Sequence, residues 1–174
     1  MNTVLIGYRC CGKTSVGKFL AEILSCRFVD TDKLIASTWC TSIEKLVAEK
    51  GWAYFRQKET QILQHIMHNK NQVIATGGGM VLAPENRARI KDAGFVVWLT
   101  ADVNTIIQRM AADTHTPASR PRFTTRSLFK ETCITLASRT PLYEKLADMT
   151  VDTTCHAPRD IAWMIKRRLD HVRF

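Results

Sequence analysis

A chain of 174 residues with 45% hydrophobic and 24% charged residues has the balance of one globular domain spanning residues 1–174, which excludes a disordered or low-complexity protein. Lys plus Arg number 25 against 16 Asp plus Glu, and the net charge of +9 suits an anionic small molecule or nucleic acid. No apolar run reaches membrane-span length, Gly7 and Arg9 interrupt any signal-peptide pattern, and the six cysteines form no C-x-x-C or zinc spacing, so the expectation is a cytoplasmic protein with free thiols and no membrane partner.

Val4-Leu5-Ile6 reads as a short buried strand and Ser15–Ser25 as a helix. Between them, Gly7-Tyr8-Arg9-Cys10-Cys11-Gly12-Lys13-Thr14 fits the phosphate-binding pattern G-x-x-x-x-G-K-[ST] at every fixed position. The chemistry explains the spacing. Gly7 and Gly12 let the backbone turn tightly and present its N–H groups inward, and a helix starting near Lys13 adds the positive end of its dipole. Cys10, Cys11 and Ser15 belong to the same ATP cradle. Lys13 can reach the β- and γ-phosphates, and the Thr14 hydroxyl can ligate Mg²⁺. The thiols of Cys10 and Cys11 sit where N–H groups and a helix N-terminus can lower a thiol pKa. Oxidation there is expected to block nucleotide binding, unless the two are simply small loop residues.

Strand-like and helical stretches continue to alternate. Arg27-Phe28-Val29 ends at Asp30-Thr31-Asp32, and helices are expected over Lys33–Ser37, Ile43–Lys50 and Phe55–Met67. Gln72–Ala75 is a third strand closed by Thr76-Gly77-Gly78-Gly79. A helix over Glu85–Asp92 leads to a fourth strand, Phe95–Leu99, and Asp102–Ala112 is helical. Residues 113–125 are polar with two prolines and read as a mobile loop. A helix over Ser127–Ala147, a strand over Met149–Val151 and a terminal helix complete the chain. The last helix has an apolar stripe of Ile161, Met164, Ile165, Leu169 and Val172, with Lys166-Arg167-Arg168 on a solvated face. This order predicts an α/β fold with a parallel sheet covered on both faces and a ligand beyond the carboxyl ends of the strands. The phosphate loop, Asp30-Thr31-Asp32 and the triple glycine all follow strands, so they are expected to share one crevice.

In that crevice one aspartate can stand near Mg²⁺ while the other receives or orients a hydroxyl proton; alternatively the pair caps a helix, Asp32 being a good N-cap residue. Gly77, Gly78 and Gly79 permit close backbone approach to a ligand, or a tight turn. Arg56 and Arg139 suit a two-pronged grip on a carboxylate, and Arg120 suits closure over transferring phosphate. Each arginine also reads as a solvated surface charge.

On this set of residues the chain resembles the shikimate kinases, nearly end to end. The motifs, in order, are the phosphate loop, Phe28-Val29-Asp30-Thr31-Asp32, Phe55-Arg56-x-x-Glu59, Thr76-Gly77-Gly78-Gly79, Arg120-Pro121 and Arg139-x-Pro-Leu-Tyr143. The resemblance implies a P-loop kinase fold like that of nucleoside monophosphate kinases: a five-stranded parallel sheet flanked by helices. A substrate-binding helical segment would span residues 31–62 and a lid residues 110–126. It implies a monomer that moves the γ-phosphoryl of ATP to the 3-hydroxyl of shikimate, with Mg²⁺, in the route to aromatic amino acids. Asp32 matches the residue that holds and deprotonates that hydroxyl, and Asp30 and Thr14 match the groups at the metal. Arg56 and Arg139 match the clamp on the shikimate carboxylate, with Gly78 giving a backbone contact between Gly77 and Gly79. Lys13 and Arg120 match the charges on the phosphates, and Arg109 and Pro158 the cover of the adenine. Arg122 lies two residues beyond Arg120 and can share its role, and Cys155-His156 stand where some relatives carry arginines. The competing readings are another kinase of this fold, such as a gluconate kinase, lacking the arginine clamp beside Asp32; an ATP-binding module without turnover; and a nucleic-acid binder, for which the sequence offers no aromatic–basic stacking platform.

Overall fold

The computed structural model describes residues 1–113 and 127–172. Its strands are β1 (Asn2–Ile6), β2 (Arg27–Asp30), β3 (Gln72–Ala75), β4 (Gly94–Thr100) and β5 (Met149–Asp152). Its helices are α1 (Lys13–Ile23), α2 (Thr31–Thr38), α3 (Ile43–Met67), α4 (Pro84–Ala93), α5 (Val103–Ala112), α6 (Leu128–Leu146) and α7 (Pro158–Val172). A short 3-10 turn at Met80–Leu82, not foreseen from sequence, links the triple glycine to α4. Of the expected lid over 110–126, residues 110–112 end α5, while 114–126, with Arg120, Pro121 and Arg122, lie outside the described residues.

The five strands pair in parallel in the order β2-β3-β1-β4-β5. β1 is central and wholly buried, with Val4 in register with Ile74 of β3 and Val96 of β4. Successive strand side chains face opposite ways. Val4 and Ile6 therefore join one core with Leu63 of α3, Ile90 of α4 and Tyr143 of α6. Leu5 joins a second core with Leu20 of α1 and Ile165 of α7. Burial on both faces is why the inner strands β1, β3 and β4 carry consecutive apolar residues, whereas the edge strands β2 and β5 are partly exposed and mix in polar ones.

Three local features refine or differ from expectation. The two helices predicted over Ile43–Lys50 and Phe55–Met67 are both present, running together as α3 across a kink at Gly51, with φ 81° and ψ 168°. The cap of α2 is Asp30, not Asp32: Asp30 Oδ1 accepts from the backbone N–H groups of Asp32 at 3.1 Å and Lys33 at 3.2 Å. In α7 the buried face runs through Ile161, Ala162, Ile165 and Leu169, which turns Met164 and Val172 outward. Arg167 and Arg168 are exposed, as a solvated face requires, and Lys166 bonds Asp170.

Because every strand runs the same way, the loops after β1, β2, β3 and β5 emerge at one edge of the sheet. Chain direction alone thus gathers residues 7–12, 30–32, 76–79 and 153–158.

Candidate active site

The phosphate loop leaves β1 at Gly7 and enters α1 through Gly12, whose φ of 85° is a conformation that side-chain-bearing residues rarely adopt. Gly12 is also the N-cap, and no side chain caps α1. The first N–H groups of the helix are thus left for an anion, reinforced by the helix dipole. Lys13 is buried and folds back across the loop, its Nζ donating to the carbonyls of Gly7 at 2.9 Å and Tyr8 at 2.5 Å. An ammonium that donates to neutral carbonyls can redirect those hydrogen bonds to phosphate oxygens, which are stronger acceptors.

Thr14 Oγ1 donates to Asp30 Oδ2 at 2.7 Å. Two hard oxygen groups thus stand together beside the phosphate cradle. That fits Mg²⁺, which binds through one or two protein oxygens and completes its shell with substrate phosphates and water.

An open cavity of about 420 Å³ lies in front of the loop, lined by Thr14, Ser15, Asp30, Asp32, Arg109 and Pro158 among others. Arg109 spans its far side, donating to Thr153 Oγ1 at 2.9 Å, to the Thr153 carbonyl at 2.6 Å and to the Cys10 carbonyl at 3.4 Å. These bonds fix the guanidinium at the cavity, which Pro158, at the start of α7, and His156 also line.

A second, smaller pocket adjoins the first, and Asp32 lines both. Here Arg56, Glu59, Gly77, Gly78, Gly79 and Arg139 come together. Arg139 Nη1 donates to the Gly78 carbonyl at 3.0 Å, and Tyr143 Oη to the same oxygen at 2.6 Å. Their four-residue spacing puts both on one face of α6. Arg56 forms an ion pair with Glu59 one turn along α3, and lies over the rings of Trp52 and Phe55. The glycines bring the backbone close to the charged side chains of the pocket. A Cβ on Gly77 would sit 2.6 Å from Asp32 Oδ1 and 2.8 Å from Glu59 Oε1, and one on Gly79 would run into the Arg56 guanidinium. The Gly77 N–H is held by Thr31 Oγ1 at 2.9 Å, which ties the glycine loop to the segment carrying both aspartates.

Burial raises the Glu59 carboxyl above its ordinary pKa, with the Arg56 and Arg139 charges pulling the other way. Burial also raises the Tyr143 phenol, keeping it a neutral donor to Gly78. The Cys11 thiol is raised as well, because burial outweighs the charges of Lys13 and Arg109. This reverses the expected activation of Cys11. Its side chain packs into the second core at 1% exposure, so only its backbone belongs to the nucleotide cradle.

The anticipated site residues within the described chain fall on one of the two cavities except Cys11, whose side chain is in the core, and Gly7, which stands behind as an acceptor for Lys13. Sequence reading assigned no role to Glu59, Tyr143 or Tyr8, although all three lie inside the matched motifs. Their signal was positional: Glu59 is one turn from Arg56, and Tyr143 one turn from Arg139.

A phosphate loop on a five-stranded parallel sheet, with an acidic pair and two arginines across the cleft, defines a P-loop phosphotransferase acting on a small molecule. The sequence profile described as "Shikimate kinase" matches residues 9–170. The chain is 40% identical to a shikimate kinase of Syntrophus aciditrophicus over 99% of its length and 93% of the relative's, and 40% identical to shikimate kinase 2 of Yersinia enterocolitica over 86% and 85%. It superposes on a shikimate kinase from Acinetobacter baumannii, solved in complex with shikimate, with a TM-score of 0.92 and 32% identity over 99% of this chain and 94% of that one. A gluconokinase from Sinorhizobium meliloti shares the fold at a TM-score of 0.60 and 18% identity. The chain belongs to the shikimate kinase family.

Proposed function

We propose that the protein transfers the γ-phosphoryl group of ATP to the 3-hydroxyl of shikimate, giving shikimate 3-phosphate and ADP. One observation carries this reading: Asp32 stands at the junction of a triphosphate cradle and a pocket walled by two arginines. Gluconate also carries a carboxylate, so the arginine pair suits either acid; the match to the shikimate kinase profile over residues 9–170 is what favours shikimate.

The roles follow from placement. Arg56 and Arg139 grip the acid's carboxylate, and the glycine loop lets the ring approach the backbone. This orients the 3-hydroxyl toward Asp32, which accepts its proton as the oxygen attacks the γ-phosphorus. The new O–P bond forms as the bond to the bridging oxygen of ADP breaks, and the electron pair leaves on the β-phosphate. Lys13 and the N–H groups of α1 compensate the charge on the phosphates, and Arg109 and Pro158 enclose the base. Mg²⁺, held by Thr14 and Asp30, would neutralise charge on the β- and γ-phosphates. Arg120 is proposed as the lid cation over the transferred group. One chain carries both cavities, so a monomer suffices.

ADP release, followed in parallel with shikimate, gluconate and nucleoside monophosphates at saturating Mg-ATP, tests the assignment. Turnover with shikimate alone is expected. ADP release with gluconate and none with shikimate would overturn it, and no release with any acceptor would favour the binding module.

A further inference from the structure

We propose that Tyr8, the residue after the first phosphate-loop glycine, is a positioning residue for the acid clamp: its ring braces the Arg139 guanidinium. The proposal rests on the shikimate reading of the pocket above. Tyr8 lines that pocket and is 1% exposed. Two guanidinium carbons lie over its ring, those of Arg9 at 5.5 Å and Arg139 at 5.8 Å from the centroid. Both are within the distance at which a cation is drawn to an aromatic face, and burial strengthens that attraction.

The contacts close on themselves. Arg9 donates to Glu131 at 3.0 Å, where the Glu131 side chain is 1% exposed. Glu131 and Arg139 both belong to α6. Glu131, Arg9, Tyr8 and Arg139 therefore link the phosphate loop to the helix that carries half of the acid clamp. The Gly78 carbonyl fixes one corner of the Arg139 guanidinium. A fork that grips a carboxylate also needs its plane fixed, and a ring face does that. The Tyr8 hydroxyl is buried with no hydrogen-bond partner among the described residues. The ring, rather than the hydroxyl, is what this position uses.

The test compares the wild type with Tyr8→Leu and Tyr8→Phe, using shikimate, shikimate methyl ester and ATP as varied substrates. Loss of the aromatic face is expected to raise the KM for shikimate about tenfold in Tyr8→Leu, a larger change than that in the KM for ATP. The ester has no carboxylate charge to grip, so its KM should stay nearly constant. Tyr8→Phe keeps the ring and should restore the shikimate KM. Should Tyr8→Leu fail to fold, Tyr8→Met, of similar bulk without a ring, carries the same expectation. An unmoved KM for shikimate overturns the brace, as does an equal rise for acid and ester, or a Phe variant as impaired as the Leu variant. A wild type inactive on shikimate would overturn the functional reading first, an outcome distinct from active wild type with an insensitive Leu variant.

Discussion

Glu59 shows what a single buried charge does in this site. Its side chain is 1% exposed and paired with Arg56, whose side chain is 26% exposed. Removing one partner of a buried pair leaves the other uncompensated. Because Arg56 retains some solvent, Glu59→Ala should cost about 2–3 kcal/mol, somewhat below the range for fully buried pairs, as read from urea unfolding. The same change releases the Arg56 guanidinium from the wall beside Gly79, so the KM for shikimate should rise while that for ATP holds. A variant with unchanged shikimate KM would remove Glu59 from the clamp. The pH dependence has a definite sign. Burial raises the folded-state pKa of Glu59 above its ordinary 4.5. Between those two values the folded protein holds a proton that the unfolded chain has released, so this group's contribution to stability is largest below 4.5 and declines as pH rises through the folded value. Glu59→Gln abolishes that term. The stability of wild type minus that of Glu59→Gln should therefore fall with rising pH across this window, and a difference that grows would contradict the assigned burial effect.

At the scale of elements, α3 joins the substrate wall to the core, and its break is set by backbone geometry. Gly51 has φ 81° and ψ 168°, and a Cβ there would meet nothing within 4 Å. The cost of Gly51→Ala is therefore purely conformational, about 1–3 kcal/mol for a region that is essentially glycine-only. Thermal unfolding should show a lower Tm, and the KM for shikimate should rise as Trp52, Phe55 and Arg56 lose their placement just past the break. An unchanged Tm would mean that the helix straightens through this position without strain. Elements of this kind mark how far sequence reading reached. The phosphate loop and the strand-end motifs were legible because glycine spacing and apolar runs are local properties. The gap between the two predicted helices fell at Gly51 for the same reason. The partners of Arg139 were not legible, since Gly78 and Tyr8 meet it only after the sheet orders its loops, whereas Glu59 stands one turn from Arg56 on the same helix. Nor was the choice of Asp30 over Asp32 as cap: both are good cap residues, and the end of β2 decides which carboxylate points back along α2. Met164 fits the apolar spacing of α7 yet turns outward, because that spacing alone does not say which side of Ile161 a helix buries.

For the molecule as a whole, the surplus of +9 must act at long range. Near the acid pocket the cations are largely matched: Arg9 by Glu131 and Arg56 by Glu59. The unbalanced positive charge therefore resides mainly in the rest of the chain, including the exposed Arg167 and Arg168 of α7. Such a field speeds encounter with anions and is screened over about 10 Å at 0.1 M salt. Raising ionic strength from about 0.05 to 0.5 M should lower kcat/KM for ATP and for shikimate by roughly two- to fivefold, while kcat changes much less, because the enclosed transfer step is poorly screened. ATP carries several negative charges and shikimate one, so the slope for ATP should be steeper. A series in potassium chloride, checked with a second neutral-pH salt to exclude ion-specific effects, measures both slopes. A flat response for ATP would show that the surface surplus plays no part in capture, and that the paired groups lining the two cavities set affinity by themselves.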